Sequence, residues 1–154
     1  MQNNIIDRSL FNFIYYSVCL IPFALITGPF LPDFLVSLSA IAFVIITVRN
    51  KNYYYYKSVF FYFFLLFYIY LVLNSIFSNH TIFSLESSSV YIRFGLFSLA
   101  IWYLIDSDQK FIKFFFIGLI FALIVGIFDG YLQYFNGKNT FGYIYNNRLN
   151  LLTS

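Results

Sequence analysis

The chain has 154 residues, of which 61% are hydrophobic, 25% aromatic and only 10% charged. An ordinary water-soluble domain carries about 25% charge to cover its surface, so a soluble fold and a disordered chain are both excluded. Nine Lys and Arg against six Asp and Glu leave a net charge of +3 with no basic stripe, and the single cysteine permits no intrachain disulfide; nucleic acid is not expected as a partner and no disulfide scaffold is expected.

In chain order, five apolar runs approach the roughly 20 residues that a helix needs to cross a bilayer. They lie at 10–31, 34–48, 59–77, 90–105 and 111–128. A β-barrel would alternate apolar and polar residues, whereas Phe60-Phe61-Tyr62-Phe63-Phe64-Leu65-Leu66-Phe67 is apolar throughout. The expectation is an all-α integral membrane protein of about five transmembrane helices, with one membrane domain over 1–128 and a loop from 129 to 154. Pro22 should kink the first span, and Gly28 to Asp33 should form a tight exit turn. The segment 78–89 reads as a loop, and Asn79-His80-Thr81 within it as a chance glycosylation sequon.

The basic residues set the expected orientation. Arg8, Arg49, Lys51, Lys57, Lys110 and Lys113 all fall on one side of the five spans, against Lys138 and Arg148 in the tail. The N-terminus is then cytoplasmic and the tail periplasmic. The run Tyr53-Tyr54-Tyr55-Tyr56, beside Lys51 and Lys57, suits an aromatic belt at the headgroups rather than a stacking platform. Small residues should mediate helix packing, among them Ser37, Ser39, Ala40 and Ala42, and the row Gly118, Ala122 and Gly126. That last row reads as an internal helix contact in preference to a dimer seam, and as a face on which a missing half could dock.

Charge inside hydrocarbon is costly and demands a reason. Arg93 lies about one turn into the fourth span, where it either snorkels to lipid phosphate or holds a phosphate or carboxylate with its planar fork. Asp129 lies at the matching end of the fifth span, with Gln133 one turn beyond, so antiparallel neighbours could pair Arg93 with Asp129. Gly137 is placed to end that last helix. Cys19 reads as a packed hydrophobe, and a lone His80 makes no zinc site. No self-sufficient catalytic set is present: no Ser/His/Asp triad, no phosphate loop, no paired carboxylates.

Three stretches carry a family resemblance: Leu20-Ile21-Pro22-Phe23-Ala24-Leu25-Ile26-Thr27-Gly28-Pro29-Phe30-Leu31-Pro32-Asp33, then Tyr91-Ile92-Arg93-Phe94, then Asp129, Gln133, Gly137 and Phe141-Gly142 followed by Arg148-Leu149. Together they resemble the N-terminal part of the O-antigen ligase and O-antigen polymerase family of polytopic glycosyltransferases of the bacterial inner membrane. The resemblance implies transfer of an undecaprenyl-diphosphate-linked glycan, on the periplasmic side, to lipid A core or another glycan acceptor, in lipopolysaccharide or surface polysaccharide synthesis, without cofactor or metal. It implies that Arg93 and Arg148 neutralise the diphosphate, and that Asp129 and Gln133 position them or contact sugar hydroxyls. Family members commonly carry ten or more spans and a large periplasmic loop with a catalytic histidine. That role is not carried onto His80, which lies in an earlier loop. The chain therefore reads as an incomplete transferase whose C-terminal half would be a further partner, with its catalytic residues unassigned. The alternative is a small non-enzymatic membrane accessory protein.

Overall fold

The computed structural model describes residues 2–136, all of whose regular structure is helical. The helices are α1 (Gln2–Thr27), α2 (Phe30–Arg49), α3 (Val59–Ile76), α4 (Thr81–Ser89), α5 (Ile92–Ser107) and α6 (Lys110–Asn136), with a 3₁₀ turn at Tyr55–Lys57. Five stretches are long and apolar enough to cross a membrane: Ile6–Thr27, Phe30–Arg49, Val59–Ile76, Thr81–Ser107 and Lys110–Asn136. In hydrocarbon a backbone must satisfy its own hydrogen bonds, which is why continuous apolar runs become helices.

The boundaries differ from the sequence expectation in instructive ways. Helix α1 begins eight residues before Leu10, because its polar first turns contain no breaker, and Asp7 there meets Arg49 of α2 at 3.6 Å. It continues through Pro22. The exit turn is far shorter than Gly28 to Asp33: Gly28 alone takes a φ of 121°, which an L side chain resists, and Pro29 already caps α2. Pro32 is tolerated in the first turn of α2, where backbone N–H groups have no intrahelical acceptor. Asp33 thus belongs to a helix N-terminus, where its charge complements the helix dipole. The segment expected as a loop contains α4, whose Ser88 and Ser89 hydroxyls fold back onto the Leu85 and Glu86 carbonyls at 3.3 and 3.0 Å. At the far end, by contrast, α6 runs past Asp129 and Gly130 to Asn136, in keeping with a helix that carries Gln133 one turn beyond Asp129. Gly137 lies outside the described residues.

Helix α1 packs between α2 and α6, and α5 packs chiefly on α2. The core forms where α1, α2 and α5 meet, from Ile14, Val18, Phe43, Ile46, Leu99 and Leu104, all 2% exposed or less. Ser39, Ala40 and Ala42 are buried in α2 and let the neighbouring backbones approach. Gly118 and Ala122 likewise serve an internal seam. A Cβ on Gly118 would stand 3.4 Å from the Cys19 carbonyl of α1, and Ala122 is buried, whereas nothing lies within 4 Å of a Cβ on Gly126. Their face is therefore occupied by α1, contrary to the expectation that a missing half docks there.

Helix α3 sits at the edge, with Phe61 its one buried residue. Its N-terminus is capped by Ser58, whose hydroxyl accepts from the Phe61 N–H at 3.2 Å. The tyrosine run is divided. Tyr54 is 65% exposed, but Tyr55 is buried, edge-on to Trp102 at 5.4 Å and to Tyr103 at 5.7 Å. Tyr56 shares a 2.9 Å hydrogen bond with Thr47.

Candidate functional site

Helices α2 and α5 run parallel, so the N-terminus of α2 lies beside the first turn of α5. The start of α2 is a helix N-terminus, where N–H groups are short of acceptors and favour anions, whereas in α5 the Arg93 and Phe94 N–H groups already donate to the Val90 and Tyr91 carbonyls at 3.3 and 3.0 Å. Arg93 is a cation in the first turn of α5, where the dipole alone would disfavour it. Its location becomes favourable through α2: Nη2 donates to Asp33 Oδ2 at 2.7 Å, and Nη1 donates to Ser37 Oγ at 3.2 Å. Asp33 and Ser37 are four residues apart, hence on one helical face. Ser37 is itself fixed by donating to the Asp33 carbonyl at 2.8 Å. The guanidinium carbon lies 4.9 Å from the centre of the Phe94 ring, within cation–π range.

A guanidinium has five N–H donors. The Nε–H is buried without a hydrogen-bond partner among the described residues. Asp33 and Ser37 take one hydrogen from each terminal nitrogen, leaving one on each without an acceptor among the described residues. The Arg93 side chain is 24% exposed and Asp33 53%, so the fork is reachable from outside the bundle.

The expected partner of Arg93 is corrected. Chain-adjacent spans α5 and α6 touch only lightly; α5 rests on α2 and α6 on α1. Arg93 therefore pairs with Asp33 and not with Asp129. Asp129 and Gln133 do share one face of α6, and both are buried, at 2% and 0% exposure. Both amide atoms of Gln133 lack a hydrogen-bond partner among the described residues, a state that costs about 1–3 kcal/mol per group unless a partner is supplied. Arg148 lies outside the described residues.

Asp33 and Ser37 were not singled out as site residues from the sequence, where Asp33 falls in an exit turn and Ser37 among packing residues. The signal was present as an acid four residues before a hydroxyl, just inside a proline-marked helix start. Among the described residues no group of three His, Cys, Asp or Glu side chains is placed to hold a metal ion. No protein-family model, curated protein or solved structure matches this chain.

Proposed function

We propose that the chain is a multi-pass protein of the bacterial inner membrane with a cytoplasmic N-terminus, of the O-antigen ligase and polymerase type, and that these residues bind the diphosphate of an undecaprenyl-linked glycan. The observation that carries the reading is the Arg93 fork, held by Asp33 and Ser37 beside the N-terminus of α2, with two terminal N–H donors uncommitted among the described residues. Such an arrangement suits a phosphoryl oxygen pair, since charge-assisted, planar bonds from Arg are the strong ones. In glycan transfer it would stabilise charge as it accumulates on the departing diphosphate. Arg148 would add a second cation, and Asp129 with Gln133 would orient it or meet sugar hydroxyls. The basic residues concentrated toward the Arg49 end support the orientation, which places the fork on the periplasmic side.

The test is binding of a fluorescent polyprenyl diphosphate to the purified chain in lipid nanodiscs. Wild type should prefer diphosphate over monophosphate, and Arg93→Gln should weaken binding about tenfold or more, the loss of one or two bonds to a charged group. Asp33→Asn, which removes the competing anion, should leave binding intact or tighten it. Unchanged binding in Arg93→Gln would overturn the reading. A second reading, a non-enzymatic accessory protein, draws on the fact that Asp33 already neutralises Arg93. It would be favoured if neither wild type nor Asp33→Asn bound the diphosphate. Orientation is checked in a Cys19→Ala background: Asn79→Cys should react with an impermeant maleimide from the periplasm and Asn52→Cys should not.

A further inference from the structure

A groove of about 620 Å³ runs along the outside of the α1–α6 seam, within the roughly 300–1,000 Å³ range of small-molecule sites. Its two ends differ. One is polar, with Asn12 and Asp108; the other is apolar, with Phe23, Ile117 and Gly118. The two helices are parallel, since Tyr15 meets Phe111 at 5.4 Å and Phe23 meets Phe121 at 5.7 Å. From Asn12 to Phe23 the groove therefore extends roughly 16 Å at 1.5 Å per residue. That is about half of a hydrocarbon core roughly 30 Å thick, the depth of one leaflet. Tyr16 and Phe114 on its walls are 64% and 55% exposed, so it opens sideways.

Asp108 makes the groove selective. It is half-buried in the α5–α6 turn, and one of its oxygens accepts from the Lys110 N–H at 2.9 Å. The ion pairs among the described residues are Arg49 with Asp7 and Arg93 with Asp33, so no Lys or Arg side chain there neutralises Asp108. Its bond to the start of α6 leaves the carboxylate open to a cation at the mouth of the groove. Lys110 and Lys113, both exposed, follow within the first turn of α6. Negative charge at the mouth with positive charge just outside it is the complement of a zwitterion whose cation points inward.

We propose that this groove seats one phosphatidylethanolamine-type lipid, its ammonium against Asp108 and the Tyr15 and Tyr16 rings, its phosphate toward Lys110 and Lys113, and one acyl chain along the apolar end. A primary ammonium donates up to three hydrogen bonds that a quaternary choline cannot, and the tyrosine faces attract a cation. An anionic headgroup would be repelled by the carboxylate. The site requires that the chain spans a bilayer and is independent of the diphosphate reading at the opposite end of the bundle, so either can fail alone.

The test uses quenching of a single tryptophan by dibrominated lipids in reconstituted vesicles. In a Trp102→Phe background, Phe114→Trp reports on the groove and Phe63→Trp on the remote α3 surface. Dibromo-phosphatidylethanolamine should bind at Phe114→Trp about three- to tenfold more tightly than dibromo-phosphatidylcholine, the difference of one charge-assisted hydrogen bond, with no preference at Phe63→Trp. Asp108→Asn, which keeps a residue able to cap α6, should abolish the preference. Asn12→Leu provides a second variant should Asp108→Asn not fold, and should weaken it. Equal affinity for the two lipids at the groove, tighter binding of dibromo-phosphatidylglycerol, a preference equal at both reporters, or one that survives Asp108→Asn would each overturn the proposal.

Discussion

Breaking the Arg93–Asp33 pair is the sharpest test of how the bundle is held at that end. Two unit charges about 4 Å apart attract by ~1 kcal/mol in water and ~4 kcal/mol at an effective dielectric of 20. With Asp33 53% exposed, the water limit weighs more heavily, and the coupling should fall at about 1–2 kcal/mol. The single substitutions should be unequal. Arg93→Gln leaves a carboxylate that solvent can reach and should cost about 1 kcal/mol. Asp33→Asn leaves a guanidinium with a buried Nε and should cost about 2 kcal/mol. The assay is thermal unfolding of both single variants and the double variant in detergent, followed by Trp102 emission. A parallel cycle of Arg93→Gln with Asp129→Asn should be additive within about 0.5 kcal/mol. Zero coupling in the first cycle, or coupling in the second, would refute the packing of α5 on α2 described above.

Four further outcomes follow from other features. Gly28→Ala places a side chain at a φ of 121° and should cost about 1–3 kcal/mol, measured by the same unfolding assay; a stability gain would mean that the turn is made differently. A Cβ on Gly95 would overlap the Phe64 ring, so Gly95→Ala should destabilise by about 1–3 kcal/mol, and Phe64→Leu should recover part of the loss. Gly118→Leu should loosen α1 from α6 whereas Gly126→Leu should be neutral, and an equal effect on melting would contradict the seam. Burial, then the nearby Asp106 carboxylate, raises the Tyr55 phenol from 10.0 to about 12. Its raised value favours the neutral form in the folded chain, so its stabilising contribution is complete below pH 10.0 and is lost as pH rises toward about 12. Tyr55→Phe should remove the latest step in the tyrosinate absorbance titration; an unchanged curve would place Tyr55 in solvent.

The helices themselves were legible because length and apolar continuity suffice to specify them, and α3 matched its apolar run almost to the residue. Which helix meets which was not. Helices that are apolar on every side, as α3 and α6 are, carry no stripe to mark the packed face. Sequence order then suggests α5 against α6, where the fold puts α5 on α2. The same gap hid Asp33 as the partner of Arg93. Helix α4 was missed because its serines read as loop residues until the Ser84, Ser88 and Ser89 hydroxyls are seen to bond locally. Tyr55 was missed because a run of four tyrosines does not reveal which one the short 3₁₀ turn rotates inward.

The edge position of α3 bears on local stability. With Phe61 alone buried, and α4 rather than α5 as its chief neighbour, α3 contributes little to the body formed by α1, α2, α5 and α6. Regions with few buried contacts open at free energies well below global unfolding. A helix whose backbone bonds are all internal loses little by standing alone in lipid. The α3 edge should therefore open at a lower free energy than the α1–α2–α5–α6 body around Phe43 and Leu99.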